Sequence, residues 1–157
     1  MSVRLEVFGV QPFRAPVRLP PGAPARILVV DDDKDICQLN AAALARSGYQ
    51  VDAAEDGAAA WEALQADNYD LLITDQDMPK LTGVELVEQL RAAHMELPVI
   101  LVTGASPVKE MARNPRLRLA AILLKPFWAD QLLETVREVL HEGSGASVEQ
   151  RFQTTES

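Results

Sequence analysis

The stretch YDLLITDQDMPKLTGVEL, residues 69–86, decides how the rest of the chain reads. Tyr69–Thr74 is a short apolar run with β-branched members. Such a run suits a strand buried on both faces of a parallel sheet. The strand gives way to Asp75, Gln76 and Asp77, and then to a helix start. Thr82 and Glu85 have capping-box spacing, and Leu81 and Leu86 are placed for a hydrophobic staple. Leu86, Leu90 and Ala93 mark the inner face of the helix. Strand, acidic loop and helix in this order are half of a βαβ unit.

The same grammar repeats outward. Ile27–Val30 (ILVV) is a second fully apolar run. Asp33 is the expected N-cap of a helix carrying Ile36, Leu39, Ala43 and Leu44, which stops at Gly48. Gln50–Ala54 reads as a weak strand, and Asp56 caps a helix with Ala60, Trp61 and Leu64. Pro98–Thr103 (PVILVT) and Leu119–Leu124 (LAAILL) are further strands. Leu132, Leu133, Val136, Val139 and Leu140 form one stripe of a last helix. Five strands alternating with helices imply right-handed crossovers and a doubly wound parallel α/β sheet, covered on both faces. Between the last two strands, Pro107 is acceptable as a first helical residue. Pro115 is not acceptable inside a helix, so a short helix ending near Arg113 is expected.

Composition bounds the function. The chain has 157 residues, 48% hydrophobic and 24% charged, which is ordinary for one globular domain. Acids outnumber bases 23 to 15, for a formal net charge of −8. That argues against gripping nucleic-acid phosphates. No apolar run is long enough for a membrane span, and Met1–Val10 does not read as a signal peptide. A cytoplasmic protein is expected. The single cysteine, Cys37, excludes an internal disulfide framework. Five of the ten prolines fall between Pro12 and Pro24, so residues 1–25 read as an arm or linker. Val3, Leu5 and Val7 alternate with Arg4 and Glu6 at its start, a period of two that suits a short edge strand docking on the domain or on a neighbour, with a mobile tail as the plainer reading. Residues 26–141 form the domain. Residues 142–157, rich in Gly, Ser and Thr, read as a disordered tail.

In an open α/β sheet, ligands bind beyond the carboxyl ends of the strands. The first strand ends in Asp31, Asp32 and Asp33, the third in Asp75, the fourth in Thr103 and the fifth in Lys125. Two carboxylates 4 Å apart repel by roughly 4 kcal/mol at an effective dielectric of 20. A hard divalent cation, Mg²⁺ or Mn²⁺, offsets this. A carboxylate beside such a metal can attack a phosphoryl donor and become an aspartyl phosphate. Lys125 suits a phosphoryl oxygen as a compact cation, and Thr103 can donate a hydrogen bond to another.

The four segments ILVVDDDKD (27–35), YDLLITDQDMPKLTGVEL (69–86), PVILVTG (98–104) and LLKPF (123–127), in this order, resemble a response-regulator receiver domain of two-component signalling. The resemblance covers about residues 26–141. It implies a CheY-like, flavodoxin-like three-layer sandwich with strand order 2-1-3-4-5. By resemblance, Asp75 is the phosphoacceptor, Asp31 and Asp32 hold Mg²⁺, and Asp77 supplies a backbone carbonyl to it. Thr103 is then the switch hydroxyl and Lys125 the phosphate-binding lysine, with a cis peptide before Pro126. The implied partners are a histidine kinase or histidine phosphotransfer protein and an output protein. A weak homodimer also belongs to these expectations; nucleic acid and membrane do not. The chemistry is limited to self-phosphorylation and autodephosphorylation, without a conventional enzyme activity. With no output domain after His141, a stand-alone receiver is expected.

Some positions depart from the family pattern. Ile122 stands where receivers often carry an aromatic residue, which argues against an aromatic-flip switch. Residues 113–118 (RNPRLR) replace a segment usually rich in Ala and Gly. Asp77 and Ala105 occupy positions that influence dephosphorylation in such domains. His94 and His141 read as solvated, Cys37 as an unreactive thiol, Trp61 and Trp128 as packed or half exposed, and arginines 113, 116 and 118 as a solvated turn. Two other functions compete. A binding-only pseudo-receiver would carry no phosphate. A haloacid-dehalogenase-type phosphatase would use Asp75-Gln76-Asp77 as its nucleophile motif, but it needs an acidic pair at a later strand end, which this chain lacks.

Overall fold

The computed structural model describes residues 24–104 and 115–142. The strands are β1 (Arg26–Val30), β2 (Gln50–Ala54), β3 (Leu71–Asp75), β4 (Val99–Thr103) and β5 (Ala121–Leu124). The helices are α1 (Lys34–Arg46), α2 (Gly57–Ala66), α3 (Gly83–Ala92) and α4 (Ala129–Glu142). All strand pairs are parallel, in the order β2-β1-β3-β4-β5. This is the expected doubly wound order. The short helix expected near 107–113 lies outside the described residues, as do most of the arm and all but the first residue of the tail.

Alternation along the strands sorts the core into two layers. Leu28, Leu72, Leu101 and Ile122 face α2 and α3, where Ala60, Leu64, Leu86 and Leu90 meet them. Ile27, Ile73, Ile100 and Leu123 face α1 and α4, where Leu44, Leu132 and Val136 meet them. All these residues are buried. Both faces of the central strands are therefore apolar, as their uninterrupted sequences require.

The caps follow the sequence. Asp33 accepts from Asp35 and Ile36 at the start of α1. Asp56 accepts from the Ala59 N–H at the start of α2. Thr82 and Glu85 complete a reciprocal box at the start of α3. Both α1 and α3 end in Schellman turns. After α1, Gly48 takes φ +101, its N–H bonds the Ala45 carbonyl, and the Tyr49 N–H reaches the Leu44 carbonyl. After α3 the same geometry recurs at His94, φ 63, with the Met95 N–H on the Leu90 carbonyl.

Several boundaries differ from expectation by one or two residues. The strand expected from Tyr69 starts at Leu71, where pairing with Ile27 of β1 begins; Tyr69 is buried and its hydroxyl donates to Asp52 Oδ2 at 2.6 Å. β5 starts at Ala121, with Leu119 buried beside it. Ala25, assigned to the arm, is buried and its carbonyl accepts from the Gln50 N–H. Trp128 is 80% exposed, more than expected for an aromatic of its size, whereas Trp61 is partly buried against the core.

Candidate functional site at the carboxyl edge of the sheet

Asp31 follows β1 and is 4% exposed. Its Oδ1 accepts from the Asp33 N–H at 2.9 Å. Asp33 is occupied by the helix cap, so Asp31 and Asp32 remain for the edge of the sheet. Asp75 closes β3 and is 3% exposed. Oxygens of Asp31, Asp32 and Asp75 all lie within 4.8 Å of one another. β1 and β3 are adjacent strands, and this adjacency is what unites acids 43 and 44 positions apart in sequence.

Lys125 follows β5, and its Nζ stands 2.7 Å from Asp75 Oδ1. Asp75 Oδ1 is buried, and this ion pair is its contact. Thr103 ends β4, between these two strands, and is fully buried. Its carbonyl accepts from the Lys125 N–H at 3.0 Å. The Lys125–Pro126 peptide is cis. Asp77 is exposed in the loop after β3. His94 and His141 are exposed and far along the chain from these acids.

Burial is the main reason that Asp75 and Asp31 are both pushed above the usual carboxylate range. Lys125 pulls both back, and neighbouring acids push them further up. Burial also disfavours the Lys125 ammonium, but the contact with Asp75 outweighs it and holds its pKa above the ordinary value. An edge with two buried acids, one exposed acid and one cation is deficient in positive charge. The clustered oxygens of Asp31, Asp32 and Asp75 make an all-oxygen donor set that fits a small hard cation.

Two residues that sequence reasoning passed over position this edge. Gln76 donates its N–H to the Val102 carbonyl at 2.8 Å, and its Oε1 accepts from the Val84 N–H at 2.8 Å. Gln76 thereby ties the end of β3 to β4 and to the first turn of α3. A polar amide directly after the strand was the available signal. Gly83 opens α3 against the backbone of Asp75. A Cβ there would stand 2.5 Å from the Asp75 carbonyl oxygen and 2.8 Å from Leu101 Cδ1.

The family model for the response regulator receiver domain matches residues 27–137. The chain belongs to the response-regulator receiver family. This receiver is 34% identical over 134 residues to the response regulator MprA of Mycolicibacterium vanbaalenii, covering 82% of this chain and 58% of that protein. It is 29% identical over 131 residues to the transcriptional regulatory protein CusR of Escherichia coli, covering 83% of this chain and 58% of CusR. The receiver thus spans little more than half the length of these relatives. Among solved structures it is similar to the chemotaxis protein CheY4 of Vibrio cholerae, with a TM-score of 0.70 at 32% identity, over 75% of this chain and all of that one. A CheY-like receiver from Methanospirillum hungatei gives 0.72 at 27% identity, over 77% and 97%. The fold and family expected from the four segments stand. No described helix is long and apolar enough to cross a membrane.

Proposed function

We propose that this receiver takes a phosphoryl group from a phosphohistidine partner, a histidine kinase or a histidine phosphotransfer protein, onto Asp75. The observation that carries the reading is the buried Asp75 carboxylate, 2.7 Å from Lys125 and grouped with Asp31 and Asp32. An Asp75 oxygen attacks the phosphorus, the phosphorus–nitrogen bond to the donor imidazole breaks, and the imidazole leaves with its electron pair. Lys125 Nζ holds one phosphoryl oxygen as the negative charge moves onto the site. Thr103 donates its hydroxyl to another. Asp31, Asp32 and Asp75, with the Asp77 carbonyl, would hold Mg²⁺ or Mn²⁺. When bound, that ion neutralises the crowded oxygens of carboxylate and phosphoryl group. Gln76 and Gly83 keep the loop and backbone beside Asp75 in place.

The consequence is a change of protein contacts, with the chain acting in the cytoplasm alongside its donor. Ile122 is fully buried in the layer facing α2 and α3. A switch built on this chain therefore works without a rotating ring at that position. The phosphatase reading has no support at the later strand ends, which carry Thr103 and Lys125.

The test is intact-protein mass after incubation with acetyl phosphate or phosphoramidate and Mg²⁺, with Asp75→Asn beside the wild type. A single added phosphoryl group in the wild type alone supports the reading. No gain from either small donor, and none from a phosphorylated histidine partner, overturns it in favour of a binding-only domain.

A further inference from the structure

The loop from Gln76 to Thr82 joins β3 to α3, and Gln76 and Gly83 hold its two ends. Within it lies a strained turn. The Leu81 N–H donates to the Pro79 carbonyl at 2.7 Å, and Lys80 between them takes φ 72. A bond from a residue back to the second one before it, around a positive φ, is the rare and strained form of the γ-turn. Such a conformation persists only where its surroundings over-determine it. Before the turn, Met78 is buried, with its N–H on the Gln76 carbonyl at 3.1 Å. Asp77 and Lys80 are exposed. Leu81 is partly buried against the core layer that α2 and α3 cover.

What Leu81 meets is the first residue of α2. Gly57 is buried, directly after the helix cap Asp56. A Cβ on Gly57 would stand 2.5 Å from Leu81 Cδ2 and 2.9 Å from both Cγ and Cβ of Leu81. Rotation about the side-chain bonds can move Cδ2 aside. Leu81 Cβ is fixed to the backbone and moves only with the loop. Glycine is less favourable than alanine inside a helix, and the next three residues of α2 are alanines. Propensity therefore does not account for Gly57, whereas the close approach of Leu81 does. The loop is thus fixed to three elements: β4 through Gln76, the start of α3 through Gly83, and the start of α2 through Leu81. The first two hold its ends. The third holds the strained turn, four residues after Asp77.

We infer that Gly57 and Leu81 are positioning residues for the cation at Asp75. The inference rests on the metal reading given above, in which the Asp77 carbonyl joins the carboxylates of Asp31, Asp32 and Asp75. Mg²⁺ demands near-octahedral oxygens at about 2.0–2.1 Å. A loop pushed off its seat therefore loses affinity even with all three carboxylates in place. The start of α2, which supplies no ligand, in this way sets how tightly the edge of the sheet holds its ion. Outer contacts that orient metal ligands are typically worth about 10–100-fold in affinity.

Mn²⁺ binding to the full chain, read from the electron paramagnetic resonance of the free ion, tests this without any phosphoryl transfer. Gly57→Ala and Leu81→Ala should each raise the Kd about tenfold. Because both act on one contact, the double variant should lose less than the product of the two single losses. Gly48→Ala is the control for lowered stability. It lies just after the C-terminal end of α1, with nothing within 4 Å of the added Cβ, and should bind Mn²⁺ as the wild type does. The inference is overturned if Leu81→Ala or a folded Gly57→Ala binds as tightly as the wild type, if the single losses multiply, or if Gly48→Ala weakens binding equally. Should Gly57→Ala not fold, Leu81→Ala decides alone. A wild type that takes up no Mn²⁺ would overturn the metal reading, and this inference with it.

Discussion

Lys125 Nζ reaches 2.7 Å from Asp75 Oδ1 although β4 lies between the strands that carry the two residues. The cation leans over the end of β4, whose last residue, Thr103, holds the Lys125 backbone through its carbonyl. Three strand ends are thereby tied around one carboxylate. Lys125→Met should leave Asp75 buried without its counter-charge. Phosphorylation by acetyl phosphate is expected to fall at least about tenfold, the equivalent of losing about 1.4 kcal/mol of transition-state stabilisation. Time-resolved intact mass measures it. A variant rate equal to wild type would remove Lys125 from the chemistry.

Asp31 sets a pH dependence whose sign can be worked out. Burial, foremost, raises its carboxyl above the ordinary value. A carboxyl raised in the folded state favours folding at low pH, where it is protonated in both states. That contribution is lost as pH rises through the folded value. At neutral pH without a divalent cation, ionised Asp31 therefore works against the fold. Asp31→Asn keeps an oxygen for the Asp33 N–H and removes the charge. With EDTA at neutral pH it should raise Tm by about 2–4 °C, as a gain of ~1 kcal/mol does for a chain of this size. The gain should vanish below about pH 3.9, the ordinary aspartate value. Added Mg²⁺ should reverse the ranking. Wild type gains about 2.7 kcal/mol at a hundredfold excess over Kd, and the variant should gain less. Thermal unfolding with and without Mg²⁺ reads both.

Gly83 leaves no room for a methyl group against the Asp75 carbonyl oxygen at 2.5 Å. That neighbour is backbone and cannot swing aside. Gly83→Ala should destabilise by about 1–3 kcal/mol through overpacking. It should also slow phosphorylation by displacing the end of β3. Urea unfolding and the acetyl phosphate assay together check this. Unchanged values in both would show that the α3 start shifts freely.

The turns after α1 and α3 make a matched pair, with Gly48 and His94 in the same left-handed position. Glycine adopts it without penalty, whereas a side chain there costs about 1–2 kcal/mol in regular left-handed geometry. His94→Gly should therefore stabilise the fold by about 1 kcal/mol, and Gly48→Ala should destabilise it by a similar amount. Urea midpoints at constant m-value give both numbers. A destabilised His94→Gly would mean that the imidazole makes contacts worth more than the strain.

At the amino end of the sheet, Tyr69 donates to Asp52 while Arg26 lies over its ring at 4.9 Å from the centroid. Burial and the Asp52 carboxylate push the Tyr69 phenol up to about 12. A raised phenol favours the fold while it is protonated, so this contribution is present at neutral pH and lost as pH rises through about 12. Tyr69→Phe should cost about 1 kcal/mol, the net value of one hydrogen bond. In an ultraviolet pH titration, this variant should lose a transition near 12 that the wild type shows before alkaline unfolding.

The strands with uninterrupted apolar runs were legible, because a strand covered on both faces must be apolar at every position. Caps at Asp33, Asp56 and Thr82 were legible for a similar reason: their partners lie within three residues. The His94 turn was not, since glycine is the usual mark of that position and histidine carries no such signal. Arg91 was also missed. On a helix surface pattern it reads as an exposed charge, yet its guanidinium serves the carbonyls of Leu117 and Arg118, which the chain reaches only after β4. Tyr69 looked like the first residue of a strand, and only its long-range bond to Asp52 sets it apart.

Local order in the sequence determined that acids end the first and third strands, that a threonine ends the fourth and that a lysine follows the fifth. It determined this because turns, caps and strand runs depend on neighbours within a few residues. Tertiary structure decided which of these ends meet. β1 lies beside β3, which joins Asp31 and Asp32 to Asp75, and β4 brings Lys125 within reach across its end. Burial by the two helical layers then raises both buried carboxyls, and no list of residue types contains that. The physical reason is that desolvation and Coulomb interaction depend on distance in space and on excluded water, both of which exist only after the layers have closed.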